Sequence, residues 1–245
     1  MGLFKWLLGV SNLLSAIENG DKEMAARLIR EGVDVNKKAR LSGATALFAA
    51  CIRNYRDIAE LLISKGADVN ATLNSGKTIL HFIASYKGKD CLDMVTYLIS
   101  KGAKIETEDR EGKSVLQSAC ENPDPAIAEY LIQSGADIHK RNRSGATPLH
   151  FAVRTRNGVL ITLLLDRGAN VNDANNDAGA TPLHIATIAN DAETARLLIS
   201  RHADVRAKDK RGRTPVMIAV QEIPYSKHGA IKEVLFQALQ GEPEK

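Results

Sequence analysis

The chain has 245 residues, with 44% apolar and 25% charged side chains, and 33 Lys plus Arg stand against 29 Asp plus Glu. That balance is ordinary for a globular chain and excludes wholesale disorder, while seven prolines and eighteen glycines exclude a fibrous repeat. Residues 1–103 carry a net charge of +4, residues 104–137 a net −5 and residues 138–245 a net +5, so the sign alternates rather than forming one basic surface. No run of 18 apolar residues occurs, so no membrane-spanning helix is expected. Cys51, Cys91 and Cys120 are odd in number and lack metal-ligand spacing, which suits a reducing compartment, and the expected location is cytoplasmic.

Residues 2–10, Gly-Leu-Phe-Lys-Trp-Leu-Leu-Gly-Val, come first. They are too short to span a bilayer and do not form a clean signal peptide, and Trp6 stands where an acylation signal wants Ser or Thr. Leu3, Phe4, Leu7 and Leu8 have helical spacing and are expected to cover the apolar end of the segment that begins at residue 11. The alternative is a peripheral membrane contact or a docking helix.

From residue 11 onward the sequence repeats itself. Gly145-Ala146-Thr147-Pro148-Leu149-His150 returns as Gly179-Ala180-Thr181-Pro182-Leu183-His184. Looser copies place a hydroxyl residue at 45, 78, 114 and 214, so the steps are 33, 36, 33, 34 and 33 residues. A second phrase keeps the same step, from Gly32-Val33-Asp34-Val35-Asn36 to His202-Ala203-Asp204-Val205.

Each phrase has a physical task. The hydroxyl accepts from free N–H groups at a helix start, and proline beside it occupies the first helical position, where its missing donor costs nothing. Small residues such as Ala50, Ala84, Ala119, Ala152, Ala186 and Ala219 let this short helix lie close to a neighbour. A second helix ends on an apolar pair, from Leu28-Ile29 through Leu164-Leu165 to Leu235-Phe236, expected to fill a core column. Glycine stops it in the left-handed conformation, and an extended Asp-Val-Asn stretch leads into a hairpin-like turn. At 202 the stopping residue is histidine, which should be strained.

These residues resemble the ankyrin repeat family over residues 11–240, nearly the whole chain. The resemblance implies an all-α repeat solenoid of stacked antiparallel helix pairs with hairpin-like fingers, forming one domain. Seven repeats are expected, at about 11–39, 40–72, 73–108, 109–141, 142–175, 176–208 and 209–240, between segment 1–10 and a polar tail, 241–245. Extra residues fall near Lys87–Asp90, Asp173–Ala178 and Glu222–Lys227. With so short a tail, no ubiquitin-ligase adaptor box is expected.

No nucleotide loop, paired carboxylates or Ser-His-Asp set stands out, so no enzyme and no cofactor are expected. His81, His150 and His184 recur one per repeat, too far apart to share a metal ion, and each is expected to serve the backbone beside its threonine. Cys51 and Cys120 are expected as small buried side chains. Glu106, Glu108, Asp109 and Glu111 are expected on an exposed finger, without a pocket to shift a pKa.

The family implies that partners meet finger tips and the exposed ends of the inner helices. Matching positions here are Arg53, Lys77 and Tyr86, then Arg110 and Lys113, then Arg143 and Arg154, and finally Lys210, Arg211 and Arg213. Tyr86 and Arg154 rank highest, because tyrosine and arginine dominate binding energies. The expectation is a non-enzymatic module, monomeric when unbound, that holds a folded protein with an acidic patch as scaffold, adaptor or inhibitor. Few aromatics and interspersed acids argue against nucleic acid.

Overall fold

Thr45, Ser114 and Thr181 open three short helices by accepting the N–H of the residue three positions on, at 3.1–3.4 Å. Pro148 and Pro182 occupy the first helical position behind Thr147 and Thr181. The computed structural model describes residues 13–86, 91–174, 177–221 and 229–241. The segment 2–10 and the extra residues at 87–90 and 222–227 lie outside them.

The described residues fall into two compact units, which divide between Arg110 and Glu111. The first holds α1 (residues 13–18), α2 (Lys22–Arg30), α3 (Ala46–Ile52), α4 (Arg56–Ser64), α5 (Ile79–Ser85) and α6 (Cys91–Ser100). In the second are α7 (Val115–Ala119), α8 (Ala126–Gln133), α9 (Pro148–Arg154), α10 (Gly158–Asp166), α11 (Pro182–Ile188), α12 (Ala192–Ser200), α13 (Pro215–Gln221) and α14 (Gly229–Gly241).

Within each unit a short inner helix pairs with the longer outer helix after it: α3 with α4, α5 with α6, α7 with α8, α9 with α10, α11 with α12 and α13 with α14. Inner helices then stack on inner helices, α3 on α5 and α7 on α9 on α11 on α13. The architecture is the all-α repeat solenoid of the ankyrin type, and its only isolated β-bridge among the described residues joins Thr72 to Thr78.

Both core columns follow the repeat. Ala50, Ala84, Ala119, Ala152, Ala186 and Ala219 are wholly buried, which lets the inner helices pack at close range. On the outer helices, Leu62, Leu98, Leu131, Leu164, Leu198 and Leu235 are likewise wholly buried. Among the described residues both members of the apolar pair are buried only at Leu131-Ile132. Its second member is half-buried at Ile63, Ile99, Leu165 and Ile199, and Phe236 is exposed. One residue further along a helix turns the side chain by about 100°, toward the rim. In α2 the roles reverse, with Ile29 buried and Leu28 half-buried.

The expected extended Asp-Val-Asn stretch is instead a turn. Asp34, Asp68, Asp137, Asn170 and Asp204 each accept the N–H two residues on, at 2.8–2.9 Å. Glycine stops the outer helix at Gly66, Gly102 and Gly168, with φ of 84°, 90° and 92°, and His202 holds the same left-handed conformation at φ 65°.

Neighbouring repeats are tied by asparagines that sequence reading passed over. Asn36 donates to the carbonyl of Gly66 and accepts from the N–H of Asp68, both at 2.8 Å. Asn70 does the same to Gly102 and Lys104, and Asn172 to His202 and Asp204. One side-chain amide thus supplies a donor and an acceptor to the next turn.

Candidate partner-binding surface

Finger tips are positioned by their own backbone. The N–H of Asn74 donates to the carbonyl of Ser42 at 2.9 Å, Arg110 to Ser75 at 3.1 Å, Arg143 to Glu111 at 2.9 Å and Lys210 to Ala178 at 2.9 Å. Glycine makes this approach feasible: a Cβ on Gly76 would lie 2.8 Å from the backbone nitrogen of Arg110. Each tip therefore presents side chains from a fixed backbone.

A buried acid braces the last finger. Asp209 accepts from the N–H groups of Arg211 and Arg213 at 2.8 and 2.9 Å and from the Arg213 Nε at 2.8 Å. Burial pushes the Asp209 carboxyl up, yet the hydrogen bonds from Arg213 and Arg211 outweigh it and hold the group below the usual carboxylate range. Asp109 occupies the matching place and is also buried, which corrects the expectation that the whole acidic finger is exposed.

The histidines serve the framework. Nδ1 of His150 and of His184 accepts from the N–H of its threonine at 3.1 and 3.2 Å, so the proton sits on Nε2. That proton goes to the next repeat, to the carbonyl of Ala180 at 3.3 Å and of Arg213 at 3.0 Å. His81 Nδ1 accepts from Thr78 in the same way, at 3.2 Å. Gln117 replaces a histidine with the same pair of functions: Oε1 accepts from the Ser114 N–H, and Nε2 donates to the carbonyls of Lys140 and Ala146. Burial pushes His150 and His184 below the usual histidine value, more than their carbonyl partners raise them. Among the described residues no group of His, Cys, Asp or Glu is arranged to hold a metal ion. Cys51 and Cys120 are buried thiols; burial pushes Cys51 up to about 12 and Cys120 up as well.

The exposed ends of the inner helices differ between the units. In the first, Phe48 meets Phe82 edge-on with centroids 5.3 Å apart, and Phe82 stacks on Tyr86 at 6.1 Å. Tyr86 is 46% exposed and borders a cleft of about 210 Å³ with Ile52, Phe82, Ile83 and Met94. Arg53 is exposed at the end of α3, while Lys77 is half-buried at a finger base and Arg110 is exposed at a tip.

In the second unit the surface is ionic. Glu121 pairs with the Lys113 ammonium through Oε2 and with the Arg154 guanidinium through Oε1, the latter at 2.7 Å. Both cations lie over the Phe151 ring, Lys113 at 5.1 Å and Arg154 at 4.8 Å from its centroid. Lys113 is thus 7% exposed and turned inward, not offered to solvent as a finger residue is expected to be. A neighbouring carboxylate and an aromatic face offset the desolvation of its charge. Arg213 is likewise half-buried on Asp209, whereas Arg143, Arg154, Lys210 and Arg211 are exposed. Phe151 was missed from the sequence, although it stands three residues before Arg154 on α9 and so shares its face.

A fold of this kind, with framework side chains tying one repeat to the next, defines a repeat protein, and likeness to known proteins gives its class. A family model described as ankyrin repeats (3 copies) matches residues 13–109, 83–175 and 162–240. This chain belongs to the ankyrin repeat family. Human protein phosphatase 1 regulatory subunit 27 is 38% identical over 68 residues, which cover 28% of this chain and 44% of that protein. Human ankyrin repeat and SOCS box protein 6 is 44% identical over 63 residues, covering 25% of this chain and 15% of that one. The matched stretches span less than half the length of these curated relatives. The ankyrin repeat domain of Bcl-3, of the IκB family, has a TM-score of 0.74 at 25% identity and covers 94% of this chain and 98% of its own. The human ASB11 ankyrin repeat domain reaches a TM-score of 0.79 at 24% identity and covers 95% of this chain and 99% of its own, a likeness of fold.

Proposed function

We propose that this chain is a non-catalytic protein-binding module whose partner, a folded protein, docks on the finger tips and the exposed ends of the inner helices. It acts as a scaffold, adaptor or inhibitor, as a monomer before binding. One observation carries the reading: the ties between repeats recur, through Asn36, Asn70 and Asn172 and through His150, His184 and Gln117, while tip pairs differ from finger to finger, as Asn74-Ser75, Arg110-Glu111, Arg143-Ser144 and Lys210-Arg211 do. A rigid frame with variable tips lowers the ordering cost of binding. Relatives named as a phosphatase regulatory subunit and as SOCS box proteins support the same class of role.

The location we propose is the cytoplasm, where Cys51, Cys91 and Cys120 remain free thiols. The membrane alternative rests on residues 2–10, outside the described residues. Among the described residues no helix is long and apolar enough to cross a membrane.

Affinity capture with the intact chain, followed by mass spectrometry, tests the function. The captured protein should then associate several-fold more slowly with Arg143→Glu plus Arg211→Glu, and with a flatter salt dependence, at unchanged thermal stability. An unchanged on-rate and salt slope would shift the docking face to Arg53 and Tyr86.

A further inference from the structure

We propose that Arg154 is the anchor of this docking face and receives a carboxylate from an acidic segment of the partner, with Glu121 and Phe151 as its positioning residues. The inference rests on the protein-binding function proposed for the chain and names the chemistry that the surface selects.

Four observations converge. The Arg154 guanidinium carbon lies over the Phe151 ring, 4.8 Å from its centroid, so the aromatic face supports one side of the group before any partner arrives. Glu121 takes one nitrogen, Nη2, at 2.7 Å, and among the described residues the Arg154 guanidinium makes no other hydrogen bond. A guanidinium carries five N–H donors in a fixed fork, so an edge remains for a second, bidentate carboxylate. The side chain is 60% exposed although held on one face and one edge.

Charge complementarity selects the occupant. Arg154 shares its one carboxylate, Glu121, with Lys113, so the guanidinium charge is only partly matched. A carboxylate completes the alternation of cation and anion. In the same unit the exposed tips add Arg143, Lys210 and Arg211, which would steer an acidic segment toward the face. The Arg154 fork is already ordered, so little rotamer entropy is lost when it closes on a partner.

Fluorescence anisotropy with a labelled octaglutamate peptide at low ionic strength, on the full chain, tests this. Arg154→Gln should weaken binding roughly tenfold, the scale of one charge-assisted hydrogen bond. Arg154→Lys should recover little of that loss, because it restores the charge without the fork. Arg196→Gln, on the exposed side of α12, removes an equal charge and should change binding less than about twofold. Glu121→Gln separates positioning from plain electrostatics. It makes the face more positive, yet it should weaken the peptide, because the fork loses its clamp. Tighter binding by that variant would overturn the positioning role. Equal losses in the Arg154 and Arg196 variants, or no binding of octaglutamate, would overturn the anchor. Preference for a single-stranded oligonucleotide of equal charge would also overturn it. A captured partner that Arg154→Gln still holds at full affinity would sink this inference alone, leaving the protein-binding function standing.

Discussion

His184 donates its Nε2 proton to the backbone carbonyl of Arg213 at 3.0 Å, while its Nδ1 accepts from the N–H of Thr181 at 3.2 Å. A single neutral imidazole thus caps the start of its own helix and ties down the next repeat. Protonation of Nδ1 would replace an acceptor with a donor facing a donor. His150 holds the same two bonds to Thr147 and Ala180.

Acid should therefore loosen the stack. Burial lowers both imidazoles in the folded chain, so the unfolded chain takes up protons that the folded chain refuses. Their contribution is complete above the unfolded value of 6.5 and is lost as pH falls below it, toward the lowered folded values. Gln117 already performs the task without titrating. The double variant His150→Gln plus His184→Gln should keep its neutral-pH stability within about 1–2 kcal/mol and flatten the fall in melting temperature between about pH 7 and 5. An unaltered slope would assign the acid sensitivity to other groups.

Leu164 and Leu198 are wholly buried in the outer-helix column. Truncation of either to alanine should cost about 2–5 kcal/mol in urea melts. The neighbours Leu165 and Ile199 are half-buried, and their truncation should cost clearly less. Equal losses at both members of a pair would contradict the register of the outer helices.

His202 holds a strained left-handed backbone at φ 65° that glycine adopts freely. His202→Gly should stabilise the chain by about 0.5–1 kcal/mol, the strain relieved less the extra freedom of glycine when unfolded. The bond from Asn172 survives, because it reaches only the backbone carbonyl of residue 202. Arg156 is held at φ 57° but donates to the Ala189 carbonyl at 2.6 Å, so Arg156→Gly should gain less or lose. Calorimetry of the two variants decides the order.

Asn172→Ala removes two bonds to the next repeat, to His202 and Asp204. Both partners are exposed and regain water, so the expected cost is about 1–2 kcal/mol. Hydrogen exchange at the Asp204 amide, which donates to Asn172 at 2.7 Å, should quicken more than at Leu198 in the core column.

Much of the frame is legible in the sequence. The hydroxyl caps, the buried alanines, the histidines beside their threonines and the strained residue at 202 all follow from short local phrases, and local geometry decides them. What escapes is set across the repeat. Asn36, Asn70 and Asn172 look like ordinary turn residues until the chain returns some 30 residues later with an unmatched carbonyl and N–H. Lys113 reads as a finger lysine, and only the arrival of Phe151 and Glu121 turns it inward. The ionic character of the second unit is therefore visible as a charge count, but which arginine lies over Phe151 is not.

The backbone pairing of the fingers also limits how they can be read by a partner. Where the Asn74, Arg110, Arg143 and Lys210 amides are engaged by the finger before them, those groups cannot pair with a visiting strand. At those positions a partner meets side chains rather than backbone N–H groups, and exposed ones such as Arg110, Arg143 and Lys210 can be exchanged one letter at a time without touching the backbone bond beneath. Recognition and architecture are thereby written in separate alphabets along one sequence, and the first can drift to a new partner while the second stays still.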